Sequence, residues 1–189
     1  MSTFGNSLDE CLKVMESLRP LSDKLTTAAK MCEKSLLAGG KLLICGNGGS
    51  SAEAQHLTGE LVGRYKENRA PFAAITLSAD AAVLTCIGND YCYEDIFSRQ
   101  VEALGRPGDL LIAFTTSGKS PNVLKALETA NKLGIESVAF LGRDGGSAAL
   151  LATCSLIVGH MDTARIQEGH QFLMHSLMDQ IEAGLKSKS

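Results

Sequence analysis

Five short apolar runs, each followed by a stretch of chain that turns back towards the next, constrain this sequence more than any other feature. They are residues 41–45 (KLLIC), 73–77 (AAITL), 109–115 (DLLIAFT), 136–141 (ESVAFL) and 154–158 (CSLIV). None shows sustained alternation of apolar with polar residues, as expected of strands covered on both faces of a parallel sheet. Segments of helical length separate them at 50–66, at 81–105 in one or two pieces, and at 122–133, with a short turn over 147–152. This alternation predicts an α/β fold, a doubly wound five-stranded parallel sheet of the flavodoxin-like kind.

Added helices flank that unit. Leu8, Cys11, Leu12, Met15 and Leu18 recur at helical spacing, and after Pro20 the pattern resumes through Leu21, Leu25, Ala28, Ala29, Cys32 and Leu36 as far as Gly39-Gly40. Those N-terminal helices connect no strands, so residues 1–38 are expected to cover the sheet or supply a subunit contact. A long C-terminal helix over about 163–186 carries Ile166, His170, Leu173, Leu177 and Ile181 as its core stripe, which gives His170 a structural role. Gln167, Gln171 and His175 follow another edge, leaving His175 freer for chemistry. No linker or internal repeat appears, and residues 1–189 read as a single domain.

Charge and composition exclude several functions. Eighteen Lys and Arg against 21 Asp and Glu leave a net charge of −3, which argues against a nucleic-acid partner held by many phosphate contacts. No run of about eighteen apolar residues exists, and the start MSTFGNSLDECLK does not read as a signal peptide, so no membrane contact and a cytoplasmic location are expected. The six cysteines are dispersed and fit buried thiols in a reducing compartment.

Chemistry is expected beyond the carboxyl ends of the strands, where ligands bind in open parallel sheets. After the first run stands Gly46-Asn47-Gly48-Gly49-Ser50-Ser51, where glycines admit a ligand to the backbone and the next helix offers free N–H groups. A tight turn without a ligand would explain those glycines equally well. After the third run stands Thr115-Thr116-Ser117-Gly118-Lys119-Ser120-Pro121-Asn122, with four hydroxyls at a helix start, a cup suited to a phosphate monoester. Ser120 and Pro121 also make a good N-cap and first-turn pair. His56 and Glu60, four residues apart, project from one helix face and can meet one metal ion or substrate.

Together these residues resemble the SIS (sugar isomerase) family, and more closely its phosphoheptose isomerases. The motifs are CGNGGSSAEAQH, the glutamate four residues later, GRY at 63–65, IGND at 87–90, DIFSRQVEALG at 95–105, TTSGKSPNV, and RIQEGH followed by His175. The resemblance implies isomerisation of sedoheptulose 7-phosphate to D-glycero-D-manno-heptose 7-phosphate, for lipopolysaccharide or capsule heptose, by a zinc-containing homotetramer with one Zn2+ per subunit. It implies His56, Glu60, Gln167 and His175 as metal ligands and Thr115, Thr116, Ser117 and Ser120 as the phosphate site. Asn47, Gly48, Gly49, Asn89 and Asp90 would hold the sugar, with Glu60 and Gln167 also at the substrate. Other members of the fold are sugar-phosphate sensors or a replication-initiation partner, and other phosphosugar isomerases exist; the His56, Glu60, Gln167 and His175 quartet favours an enzyme.

A ketose-to-aldose conversion through an enediol needs two proton-transfer groups. Glu60 is assigned as the carbon base and His175 as its acid/base partner. Two features qualify the resemblance. Some relatives carry an aspartate directly before the arginine of RIQ, where Ala164 stands here. Gln167 and His175 are eight residues apart, about 12 Å of helical rise, so a shared ion requires extended side chains, a helix beginning after Gln167, or ligands from different subunits.

Overall fold

The computed structural model describes residues 3–186. Its strands are β1 (Leu42–Gly46), β2 (Ala74–Thr76), β3 (Leu110–Thr115), β4 (Glu136–Gly142) and β5 (Cys154–Val158), all parallel, in the order β2-β1-β3-β4-β5. The helices are α1 (Thr3–Ser17), α2 (Ser22–Leu37), α3 (Gly49–Val62), α4 (Ala81–Asp90), α5 (Ser98–Leu104), α6 (Pro121–Lys132), α7 (Ala148–Leu151) and α8 (Thr163–Lys186). After β2 the chain crosses back to the other side of β1, so the strand order reverses between β1 and β3. A crevice opens at such a reversal, beyond the strand ends.

The unbroken apolar runs have the expected cause. Leu42 and Ile44 of β1, Leu110, Ile112 and Phe114 of β3, and Val138 and Phe140 of β4 point into a core with α1, α2, α3 and α8. Their neighbours Leu43, Cys45, Leu111, Ala113, Ala139 and Leu141 point into a second core with α4 to α7. Alternation persists, but both faces are dry. The N-terminal helices cover one face, with α2 and α1 packed on α8. Burial pushes the Cys32 and Cys45 thiols up to about 12, and all six cysteines are free.

One helix boundary differs from the periodicity. The segment 50–66 is helical only to Val62, because the Arg69 guanidinium reaches back to the last carbonyls of α3, donating to Glu60 O at 2.6 Å and Leu61 O at 2.9 Å. The guanidinium is held by the Glu182 carboxylate of α8 at 2.8 Å and lies over the Phe72 ring. The segment 81–105 divides into α4 and α5 around a 3-10 turn at Tyr93–Asp95. Lys125 of α6 clamps that turn through Asp95 at 2.8 Å.

Asp109 ties the amino ends of β1 and β3 together. Its buried carboxylate accepts from Lys41 N at 2.9 Å, Lys41 Nζ at 2.6 Å and Arg106 N at 2.8 Å. Burial opposes its charge, but these three donors outweigh burial and hold its pKa below the usual range. A depressed folded-state pKa stabilises above the unfolded value near 4 and is lost as pH falls through the folded value. Asp109→Ala is expected to cost about 3 kcal/mol, roughly 6–12 °C of melting temperature at pH 7, by stranding two backbone N–H groups. Melting curves at pH 7 and pH 3 check this: the gap between wild type and variant should narrow at the lower pH.

Candidate active site

The two loops that flank the reversal point face each other. Asn47, directly after β1, and Asn122, in the first turn of α6, exchange paired amide hydrogen bonds: Asn47 Nδ2 to Asn122 Oδ1 at 2.8 Å, and Asn122 Nδ2 to Asn47 Oδ1 at 2.9 Å. The Tyr93 hydroxyl donates to the same Asn47 oxygen at 3.1 Å. Beside them, Gly49 lies under the side-chain amide of Gln167, which a Cβ at that position would overlap.

The hydroxyl loop is built against its neighbour. Gly118 adopts φ +63°, and a Cβ there would overlap the Gly145 carbonyl, so the loop lies backbone to backbone on residues 145–146. Ser120 and Pro121 take their expected places at the start of α6, yet the Ser120 hydroxyl does not cap the helix. It pairs with Thr115 Oγ1 at 3.1 Å instead, while Ser117 Oγ accepts from Lys119 N at 3.1 Å. Thr116 completes the loop. Clustered hydroxyls over a helix amino end can donate to a phosphate dianion.

The third group lies where α3 meets α8. His56 Nε2 is 3.0 Å from Glu60 Oε1, and the ligand atoms of His56, Glu60 and His175 lie within 4.8 Å of one another. The His175 ring meets His56 edge to face, with centroids 5.1 Å apart, and stacks on Tyr65 at 5.9 Å. Gln171 Nε2 lies 2.9 Å from His56 Nδ1 and 3.1 Å from His175 Nε2. Two imidazoles and a carboxylate form a donor set suited to zinc.

Gln167 lies beside the glycine loop, and because α8 begins at Thr163, both Gln167 and His175 are inside the helix, so the option of a later helix start is removed. Asn89 and Asp90 bond to each other at 2.8 Å on the exposed end of α4, with no hydrogen bond to either loop. The carboxylate missing at Ala164 has a neighbour in Asp162, whose Oδ1 accepts from Ala164 N at 2.7 Å and caps α8. His170 is fully buried and bonds Leu141 O at 3.0 Å, the structural place its stripe predicts.

Comparison with known proteins fits this arrangement. Residues 4–142 match the SIS domain family. The chain is 54% identical over 185 residues to the phosphoheptose isomerase of Trichlorobacter lovleyi, covering 97% of this chain and 94% of that one. The chain belongs to the phosphoheptose isomerase family of SIS-domain proteins. Another phosphoheptose isomerase, from Paramagnetospirillum magneticum, is 57% identical over 152 residues, 80% of this chain and 79% of its own. The solved phosphoheptose isomerase of Neisseria gonorrhoeae superposes with a TM-score of 0.90 at 38% identity, over 95% of this chain and 97% of that one.

Three residues of this phosphoheptose isomerase family member escaped the motif reading as site residues. Gln171 shares a helix edge with His175, which was the available signal. Asn122 lies within the hydroxyl-rich junction but resembles a helix-start residue. Tyr93 carries no local signal, since its partner is 46 residues away.

Proposed function

We propose that the protein interconverts sedoheptulose 7-phosphate and D-glycero-D-manno-heptose 7-phosphate in the cytoplasm, as a step towards bacterial lipopolysaccharide or capsule heptose. The observation that carries this reading is the His56, Glu60 and His175 group at the α3–α8 contact, in a chain about half identical to phosphoheptose isomerases along most of its length. No helix of the described residues is long and apolar enough to cross a membrane.

The substrate phosphate sits on Thr115, Thr116, Ser117 and Ser120 at the start of α6. The sugar chain extends past Asn47, Gly48, Gly49 and Gln167, with Asn89 and Asp90 assigned to its rim. Glu60 removes a proton from C1 of the ketose and returns one to C2, while His175 supplies the proton for O2 and takes the one from O1. The reaction has no net gain or loss of protons.

His56, Glu60 and His175 would hold a zinc ion, which polarises the carbonyl when bound. Gln167 of a neighbouring subunit would be the fourth ligand, since about 12 Å of helix separates Gln167 from His175 within one chain. An oligomer is supported by α1, whose Phe4, Leu8 and Leu12 form an exposed apolar stripe at helical spacing. A homotetramer is the assembly we assign.

Turnover of sedoheptulose 7-phosphate, followed by NMR of the product with and without zinc, tests the reading. An aldose 7-phosphate with its carbonyl at C1 should accumulate; binding without proton exchange at the carbon would overturn it in favour of a sensor. Chelated, dialysed protein should lose most activity and regain it with zinc. Zinc at one hundred times its Kd should also raise the melting temperature by about 5–10 °C. Full activity in verified metal-free protein would remove zinc from the mechanism.

A further inference from the structure

We infer that Asn122 and Tyr93 are positioning residues that hold the Asn47 amide in one orientation, so that Asn47 meets the substrate only as a hydrogen-bond donor. The inference rests on the proposed isomerase reading and deepens it at the sugar site.

The chain of hydrogen bonds begins at a group that cannot flip. The backbone N–H of Val123 donates to Asn122 Oδ1 at 2.9 Å, which identifies that atom as the oxygen and the other amide atom as the NH2. The NH2 of Asn122 then donates to Asn47, so the receiving atom is Asn47 Oδ1, and Asn47 Nδ2 faces Asn122 Oδ1. Reversing the Asn47 amide would set NH2 against NH2 and oxygen against oxygen. Asn122 is only 2% exposed, so water does not offer it an alternative partner.

Tyr93 closes the remaining freedom. A carbonyl oxygen has two lone pairs, and Asn47 Oδ1 receives the Tyr93 hydroxyl at 3.1 Å as well as the Asn122 amide. Both acceptor positions are then filled, and one Asn47 N–H is left over. In a substrate complex that proton is available to an oxygen lone pair of a sugar hydroxyl or carbonyl, and Asn47 has no acceptor position left to offer. The turn bearing Tyr93 is itself fastened to α6, because Asp95 accepts from Lys125 Nζ at 2.8 Å, and it is closed internally by Cys92 Sγ donating to Asp95 at 3.1 Å. The helix that starts at the hydroxyl loop therefore also sets the amide at the glycine loop.

The test is a double-mutant cycle on steady-state turnover of sedoheptulose 7-phosphate, using Tyr93→Phe, Asn122→Ala and Asn47→Ala. Tyr93→Phe removes one exposed hydroxyl, and Asn122→Ala leaves Val123 N–H its bond to Ser120 O at 3.0 Å, so both variants should fold. Each should raise KM, by about threefold to tenfold, with kcat within about twofold, the loss of one oriented hydrogen bond. In the Asn47→Ala background the same substitutions should change KM by less than about 1.5-fold, because the group they orient is gone. Equal effects in both backgrounds, or losses confined to kcat, would overturn the inference. If Asn47→Ala melts early, calorimetric binding of the same ketose phosphate to the single variants replaces the cycle. Affinity should then fall in the order wild type, Tyr93→Phe, Asn122→Ala, and any other order would overturn the inference. Wild-type turnover tests the isomerase reading separately from this assignment.

Discussion

Glu60→Gln is expected to lower kcat by about three orders of magnitude while the protein melts within a few degrees of wild type. Loss of a general base costs about 10²- to 10⁴-fold, and here the same oxygen atoms also belong to the proposed zinc set. The fold should survive because the group is local. Glu60 lies in the last turn of α3, its side chain is 19% exposed, and among the described residues its one side-chain partner is His56. A glutamine oxygen can still accept from His56 Nε2 at that distance, so the imidazole keeps its place while the proton acceptor disappears. Two measurements separate the roles of base and ligand: zinc content of the purified variant, and exchange of the C1 proton with deuterium oxide. A variant that retains zinc but neither turns over nor exchanges supports proton removal by Glu60. Near-normal kcat would overturn the assignment.

Gly118→Ala should be nearly as damaging, by a different route. The residue needs φ +63°, which costs an alanine about 1–2 kcal/mol, and its new methyl group would overlap the Gly145 carbonyl. The obstacle is backbone, which cannot rotate aside as a side chain would. Gly118 O also receives Ala148 N at 3.0 Å, so the loop cannot shift without losing that bond. We expect a total cost of about 4 kcal/mol, a melting temperature lower by roughly 8–16 °C, and KM raised at least tenfold through displacement of the hydroxyls. Thermal melting and KM for the sugar phosphate check the two parts. An unchanged KM would mean that the hydroxyl loop does not hold the phosphate.

The same two residues illustrate how much was legible before the structure. Glu60 stands four residues after His56 on a helix, so periodicity alone puts the pair on one face. Gly118 was legible as part of a loop, but its reason lies in Gly145, which no local pattern connects to it. Similarly, the end of α3 at Val62 was not readable from residues 50–66, because the groups that terminate it belong to Arg69 and, through it, to Glu182 of α8. The Ser120 cap failed for a related reason. Ser120 is the N-cap residue, but its hydroxyl pairs with Thr115, five residues earlier at the other end of the loop, and not with a backbone N–H of α6.

Sequence by itself determined the element types, the two-sided burial of the strands, the buried stripe of α8 that takes in His170, and the glycine- and hydroxyl-rich loops at the strand ends. Each of these depends on repeats of two or 3.6 residues or on short-range turn chemistry, which act within one element. Only the tertiary structure decided that Gln171, 115 residues from His56, bridges it to His175, and that Asn47 faces Asn122, 75 residues away. It also decided that Gln167 lies beside Gly49. Such pairings depend on how β1, β3 and α8 are arranged in space, and the sheet order β2-β1-β3-β4-β5 that arranges them is written in no single segment.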